Sequence, residues 1–147
     1  MATVTAVVQT RTNLGSLGTL GSGTYLNVGT ITFATNDNLA CLLEISATPG
    51  TVSGLKQLAV FAQTSLDGTN FETGPVDNTI TTNEPVLTPI GVLPLPSNST
   101  LQRKVFNLAG AFGGNLPHSA KIIVKNESGA PLASGSVEYA EIVTTIA

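Results

Sequence analysis

Charged side chains are scarce in this sequence. Asp, Glu, Lys and Arg make up 10% of the 147 residues, whereas an average soluble domain has about 25%. Neutral polar side chains take their place, with 21 Thr, 11 Ser and 11 Asn. Such a surface lacks the charge repulsion that keeps small proteins apart, and the net charge of −3 adds little. We therefore expect a surface that packs against other subunits; the alternative is a Thr-rich β-protein that is simply exposed.

Aromatic residues and cysteine are also rare. The chain has no Trp, and Phe and Tyr account for 5% of it. The core must therefore be built mainly from Val, Ile and Leu, of which the β-branched pair favours pleated sheet. A single cysteine excludes an intrachain disulfide framework, and Cys41 lies in the apolar run LACLLEI, which predicts a small buried side chain. A chain of this length can form one domain with a substantial core.

The sequence offers little for catalysis or metal binding. Nucleophilic catalysis needs a base beside the nucleophile, but His118 is the only histidine and no Gly-x-Ser-x-Gly motif is present. One His and one Cys are too few for a zinc site, and the acidic residues do not form an EF-hand pattern. We predict a protein that is not an enzyme and needs no cofactor.

Nucleic acid and membranes are not predicted as partners. Six basic residues and a pI near 4.9 give no electrostatic footprint for nucleic acid. The longest apolar runs are about five residues, against the roughly 18 that a membrane-spanning helix needs. The N-terminus MATVTAVVQT shows neither a basic leader nor a continuous apolar stretch. We therefore expect a soluble protein without a signal peptide, made in a cytoplasm.

The stretch 55–71, LKQLAVFAQTSLDGTNF, has the strongest local pattern. Alternation of apolar and polar residues predicts a strand, and Asp67-Gly68 predicts a tight turn into a short second strand at 70–71. Phe61 is expected either under a second layer or at a subunit contact. The predicted faces of the strand are Leu58, Val60, Ala62 and Leu66 on one side, and Gln57, Gln63 and Ser65 on the other.

Similar alternation predicts further strands at 25–33, 39–46, 86–95, 100–108, 120–126 and 136–146. The strand 25–33 has a predicted bend at Gly29, and 136–146 is apolar on both faces. In the strand 39–46, Leu39, Cys41, Leu43 and Ile45 are predicted to point inward. Prolines restrict 86–95 to an edge strand or an extended loop. The connections carry turn signals, among them Asn36-Asp37-Asn38, Pro49-Gly50, Ser128-Gly129 and a Thr-rich piece at 78–83.

No stretch keeps a 3.6-residue period, so we expect little or no helix. Short strands separated by turn signals predict an all-β protein. Its expected architecture is a single-domain two-sheet β-sandwich with jelly-roll or Greek-key wiring, and a small closed barrel is the second choice.

Residues 1–23 are predicted to form an N-terminal arm, and residues 24–147 the sandwich. Thr3 to Val8 alternates weakly and could be a first strand or an arm that pairs with a neighbour. The following LGSLGTLGSG has a glycine at about every third position, which is typical of a flexible connector. Leucines in such a connector need a cover, so Leu14, Leu17 and Leu20 are predicted contacts to another subunit.

The hairpin TSLDGTNFETGP resembles a motif of tailed-bacteriophage virion proteins, in which a strand leads into Ser-x-Asp-Gly-x-x-aromatic. The segment KIIVKNESGAPLASGSVEYAEI resembles the paired last strands of the same class, and together the two cover under half of the chain. Within that class the chain is most similar to small capsid decoration (cement) proteins. The resemblance implies a non-enzymatic homotrimer on the capsid surface of the virion. It would bind the major capsid protein and bridge neighbouring capsid subunits.

Arg103 and Lys104 are adjacent in a predicted strand and should point to opposite faces. We expect them to be solvated or to pair with an acidic subunit surface. With Phe61 and the three leucines they complete the predicted contact residues.

Three alternatives remain open. The chain could be a phage tail or fibre protein, or a carbohydrate-binding sandwich with Phe61, Phe71 or Tyr25 as platform. A glycosidase-like enzyme has the least support. Asp67 would be its first carboxylate, although aspartate in an Asp-Gly turn is usually selected for backbone geometry.

Overall fold

A computed structural model of the chain describes residues 1–33, 38–77 and 83–146. Positions 36, 37 and 78–82, which carry parts of a predicted turn and of the Thr-rich piece, lie outside the described residues. The described residues include two helical turns, a 3-10 turn at Glu84–Val86 and α1 at Leu108–Ala111. The strands are β1 (Val4–Val8), β2 (Thr12–Ser16), β3 (Tyr25–Thr32), β4 (Asn38–Pro49), β5 (Gln57–Ser65), β6 (Thr88–Pro94), β7 (Gln102–Asn107), β8 (Ser119–Glu127) and β9 (Leu132–Ile146).

The strands form two antiparallel sheets. Sheet A has the order β1-β9-β4-β7, with β2 also paired to β9, and sheet B has the order β3-β8-β5-β6. Since β1 pairs with the C-terminal half of β9 and β2 with its N-terminal half, the two act as one interrupted edge strand. Each sheet then has four positions, and the strand order is that of a jelly roll. The predicted all-β two-sheet sandwich is confirmed.

Period-2 alternation buries one face of each sheet between the two. The inner side chains of β4, β5 and β8 are fully buried, as the alternation predicts. Burying one large aliphatic side chain contributes about 1.5–3 kcal/mol. The fully buried inner residues of the three strands are Cys41, Leu43, Ile45, Ala47, Leu58, Val60, Ala62, Ala120, Ile122 and Val124.

Two residues predicted for the inner faces are instead exposed at the ends of their strands. Leu66 is 92% exposed because β5 ends at Ser65 and the turn begins there. Leu39 is 52% exposed and lies at the register shift between Asn38 and Ala40, where the pairing of β4 with β9 becomes irregular. The alternation of buried and exposed side chains therefore holds within these strands and fails where the hydrogen-bonded pairing ends or becomes irregular.

The prediction of a flexible connector is wrong for the leucine-bearing segment. Residues 12–16 form β2, and Leu17 is 2% exposed in the core. The backbone N–H of Leu17 donates to the carbonyl of Gly135 at 2.9 Å. Leu14 and Leu20 are partly buried against the same core. The sandwich itself supplies the cover that the leucines need.

The two sheets approach each other closely along their sides. A Cβ at Gly15 would lie 2.8 Å from the carbonyl oxygen of Val28, so β2 lies directly against β3. A Cβ at Gly91 would lie 2.6 Å from a ring carbon of Phe106, so β6 lies against β7. As the prolines predict, β6 is an edge strand of sheet B. In contrast, all five residues of β1 are exposed.

The Asp67-Gly68 turn reverses the chain after β5 as predicted, and Ser65 pairs with Phe71. The Asp67 carboxylate accepts from the N–H groups of Thr69 and Asn70, each at 2.8 Å. The backbone N–H groups, that of Asn70 first, hold the pKa of Asp67 well below its usual range. Gly68 has φ 80°, which a residue without Cβ adopts without strain. Asp67 therefore organises the turn.

Candidate interaction surface

The outer face of sheet B is covered by the chain itself. Phe61, Tyr25 and Ile123 form a second apolar cluster with Leu87 and Val76, outside the main core. Tyr25 is 2% exposed and Ile123 fully buried. Phe61 therefore lies under a second layer, one of the two environments predicted for it.

A polar cluster binds the segment that carries Glu84 and Leu87 to the outer face of sheet B. The Tyr25 hydroxyl donates to the Glu84 carboxylate, and Lys125 Nζ lies 3.2 Å from Glu84 Oε2 and 3.5 Å from Glu127 Oε2. Burial, followed by the hydrogen bond to Glu84, raises the pKa of Tyr25 to about 12. Burial alone would lower the pKa of Lys125, but its bonds to Glu84 and Tyr25 outweigh that and raise it. At neutral pH the tyrosine is protonated and the lysine charged, so the cluster binds the segment and offers no base.

The outer face of sheet A has no comparable cover in the described ranges. Apolar side chains lie side by side on part of it, because Leu42 pairs with Ala140, and Ile142 pairs with both Ala40 and Val8. Val105 is 53% exposed and Val8 59%. We call this surface the outer apolar face and define it by Val8, Ala40, Leu42, Val105, Ala140 and Ile142. Isolated apolar residues at a surface are ordinary, whereas a contiguous patch marks an interaction site.

Four charged residues border the outer apolar face. Arg11 lies 3.0 Å from Glu44 and 2.8 Å from Glu138, and Arg103 Nε lies 3.4 Å from Glu44. Both arginine side chains are more than half exposed, so each pair contributes only about 0–1 kcal/mol to stability. With two cations and two anions the group has no net charge. Arg11, Glu44, Glu138 and Leu42 line a depression of about 130 Å³.

The six predicted contact residues are not brought together. Leu14, Leu17 and Leu20 belong to the side where β2 meets β3, and Phe61 lies on the opposite sheet. Arg103 borders the outer apolar face, where its acidic partner is Glu44 of the same chain. Lys104 has its Nζ 5.5 Å from the centre of the Phe106 ring. Arg103 and Lys104 thus point to opposite faces, as predicted.

The residues considered for sugar binding and catalysis make contacts within the chain. Tyr25 is buried, and the ammonium of Lys121 lies 4.3 Å from the centre of the Phe71 ring. His118 Nδ1 is 2.7 Å from Ser119 Oγ. Across the described residues, no group of three or more His, Cys, Asp or Glu side chains could hold a metal ion.

Sequence reasoning missed the outer apolar face as a site. One signal was present, since 136–146 is apolar on both faces and only one of them can face the core. The strands that complete the patch are distant in sequence, and only their pairing with β9 brings Val8 and Leu42 to the same surface.

Comparison with known proteins gives no match to a protein family, a curated protein or a solved structure. Among the described residues, none of the helical segments has the length and apolar character needed to cross a membrane.

Proposed function

We propose that this chain is a non-enzymatic structural protein of a phage virion. In this role it decorates the outer surface of the head, binds the major capsid protein and bridges neighbouring capsid subunits. The observation that carries the proposal is that the chain covers the outer face of sheet B more fully than that of sheet A. In sheet B the outer residues Tyr25, Phe61 and Ile123 are covered by the chain itself, whereas sheet A leaves Val8 and Val105 exposed beside the half-buried Leu42.

The chemistry of the outer apolar face supports a protein partner. Apolar surface removed from water contributes about 25 cal/mol per Å², so a partner that covers the face gains free energy. The bordering charges of Arg11, Arg103, Glu44 and Glu138 already neutralise one another. A partner can therefore approach without meeting a strong field of either sign. Charge-poor centres with polar borders are typical of protein interfaces.

The fold is compatible with this role at the level of analogy. Jelly rolls occur in viral capsid proteins and also in lectins and cupins, and a fold by itself does not define a function. The short motifs that resemble phage virion proteins favour the capsid among these possibilities.

The proposed action is mechanical. A small rigid sandwich placed across the seam between capsid subunits adds contacts that an expanding head would have to break. Many copies on one lattice act together, so that each contact need not be strong. The homotrimer implied by the resemblance stays a prediction, and it excludes the twofold dimer proposed below; the mass of the protein in solution decides between them.

Quantitative mass spectrometry of purified virions tests the proposal. In particles of the phage whose genome encodes this chain, we expect a copy number comparable with that of the major capsid protein. A handful of copies per particle would assign the chain to the tail or a fibre instead. Its absence from mature particles would overturn a structural role in the virion.

A further inference from the structure

Strand β1 ends sheet A with an open edge. The backbone N–H of Gln9 donates to the carbonyl of Glu141 at 2.8 Å. In an antiparallel pair, alternate residues exchange hydrogen bonds with the partner strand, so Val7 and Thr5 also face β9. The N–H and C=O groups of Val4, Ala6 and Val8 therefore point away from the sheet. In the part of the chain that the structure describes, no strand pairs with that side of β1.

This edge lacks the features that usually prevent strands from joining. Edge strands are commonly protected by charge, proline or a bulge. The sequence of β1 is VTAVV, and the first charged side chain after it is Arg11. Its pairing with β9 from Val4 to Val8 is regular, without a register shift. The other sheet edges differ, because β2 packs against β3 and β6 against β7.

We propose that β1 pairs antiparallel with β1 of a second copy of this chain, about a twofold axis at Ala6. In that register Ala6 faces Ala6 of the other copy, and Val4 faces Val8. The facing residues are the ones whose backbone groups point outward, so each facing pair exchanges two hydrogen bonds. No charged side chain lies within the paired segments, and self-pairing brings no like charges together.

The side chains complement each other in the same register. On the outer surface of the joined sheet, Ile142 and Val8 of one copy continue into Val4 and Ile146 of the other. In the single chain Val4 is 64%, Val8 59% and Ile146 75% exposed. Aliphatic neighbours across an antiparallel pair stabilise a sheet. The twofold contact joins these scattered apolar side chains into one row, which extends the outer apolar face across both copies.

The mass of the protein in solution is the first test. By light scattering or sedimentation equilibrium we expect a dimer of twice the 15.0 kDa chain. Ala6→Pro removes an outward N–H that makes no bond within the chain and should raise the dissociation constant about tenfold or more. Ala6→Ser keeps that N–H and should remain dimeric. Val8→Lys places a charge on the edge and should also give monomers, which guards against misfolding of the proline variant.

Cysteine cross-linking tests the register. Residues facing each other in a hydrogen-bonded antiparallel pair have Cα atoms about 5.5 Å apart, within the range for a disulfide. With oxidised glutathione, Ala6→Cys should form a covalent dimer, because the axis brings residue 6 onto itself. Val4→Cys alone should not, whereas Val4→Cys combined with Val8→Cys should. The native Cys41 is fully buried and does not interfere.

Several results would overturn this inference. These are a monomer at all accessible concentrations, a trimer, or cross-linking of Val4→Cys without that of Ala6→Cys. Pairing of β1 that occurs only with capsid protein present would overturn it as well. The inference does not rest on the proposed function, because it concerns the purified protein: dimers that fail to bind capsids would refute the function and leave the twofold contact intact.

Discussion

Gly15 in β2 lies so close to Val28 in β3 that a Cβ at position 15 would be 2.8 Å from the Val28 carbonyl oxygen. The contact is between backbones, so no side chain can turn aside to make room. It closes one side of the sandwich and makes the glycine-rich segment that contains β2 part of the sandwich. The glycine-rich composition of this segment therefore serves close packing, at least at Gly15.

Substitution of Gly15 by alanine should destabilise the protein. The added methyl group has to push β2 and β3 apart, and overpacking of this kind costs about 1–3 kcal/mol. Gly21→Ala is the matched control, because the nearest atom to its Cβ would be Thr24 Oγ1 at 3.7 Å, and a change within about 0.5 kcal/mol is expected. Urea unfolding measures the free energy of unfolding of both variants. Equal effects of the two substitutions would show that β2 does not pack on β3 in this way.

Leu17→Ala should reduce the free energy of unfolding by about 2–5 kcal/mol, since it leaves a cavity in the core. Leu66→Ala, at a leucine that is 92% exposed, should change it by no more than about 0.5 kcal/mol. Chemical denaturation with an unchanged m-value separates the two. A neutral Leu17→Ala would restore the interpretation of this segment as a connector outside the core.

The turn at Asp67 predicts a specific dependence of stability on pH. The folded pKa of Asp67 lies below the unfolded value of about 3.9 because backbone N–H groups bind the carboxylate. Its contribution is full above that value and is lost as the pH falls from there through the folded pKa. The melting temperature of Asp67→Ala should therefore lie below that of the wild type at pH 7, and the gap should narrow below about pH 4. A gap that stays constant to pH 2.5 would contradict a role for the carboxylate charge.

Cys41 should be unreactive in the native protein. Burial, with a smaller effect from Glu141, raises the pKa of its thiol to about 12, and the side chain is fully buried. Against an unfolded pKa of about 8.5, the thiolate fraction at pH 8 falls about a thousandfold. Labelling with a thiol reagent at pH 8 should be slow in buffer and rapid in denaturant. Fast labelling of the native protein would show that the interior of β4 opens readily.

Much of the fold could be predicted because β-alternation is a local signal. The inner residues of β5, the turn at Asp67-Gly68 and the edge position of the proline-bearing β6 all follow from neighbours in sequence. The N-terminal segment could not be predicted in the same way. Leu17 is held by Gly135, and nothing near Leu17 in the sequence indicates that partner.

For the candidate site, too, local patterns could be predicted and contacts between distant parts of the sequence could not. The two apolar faces of β9 can be recognised from the sequence, and only one of them can face the core. The sequence does not show that the outer face of sheet B is covered by Leu87 and Val76, which pack with Phe61, so it does not show which sheet keeps an uncovered outer face. Arg103 was predicted to be solvated or to pair with an acidic subunit surface; its side chain is 56% exposed, and its acidic partner is Glu44 of the same chain. Long-range pairing decides each of these outcomes.

Binding of the purified protein to phage heads that lack it tests the central claim most directly. Heads would be titrated and the bound protein measured by sedimentation, with wild type, Leu42→Asp and the control Leu66→Asp. We expect wild type and Leu66→Asp to saturate the heads at copy numbers comparable with the major capsid protein. Leu42→Asp should bind about tenfold more weakly or worse, because docking would bury an unpaired charge. Full binding by folded Leu42→Asp, or no binding by the wild type, would contradict the claim.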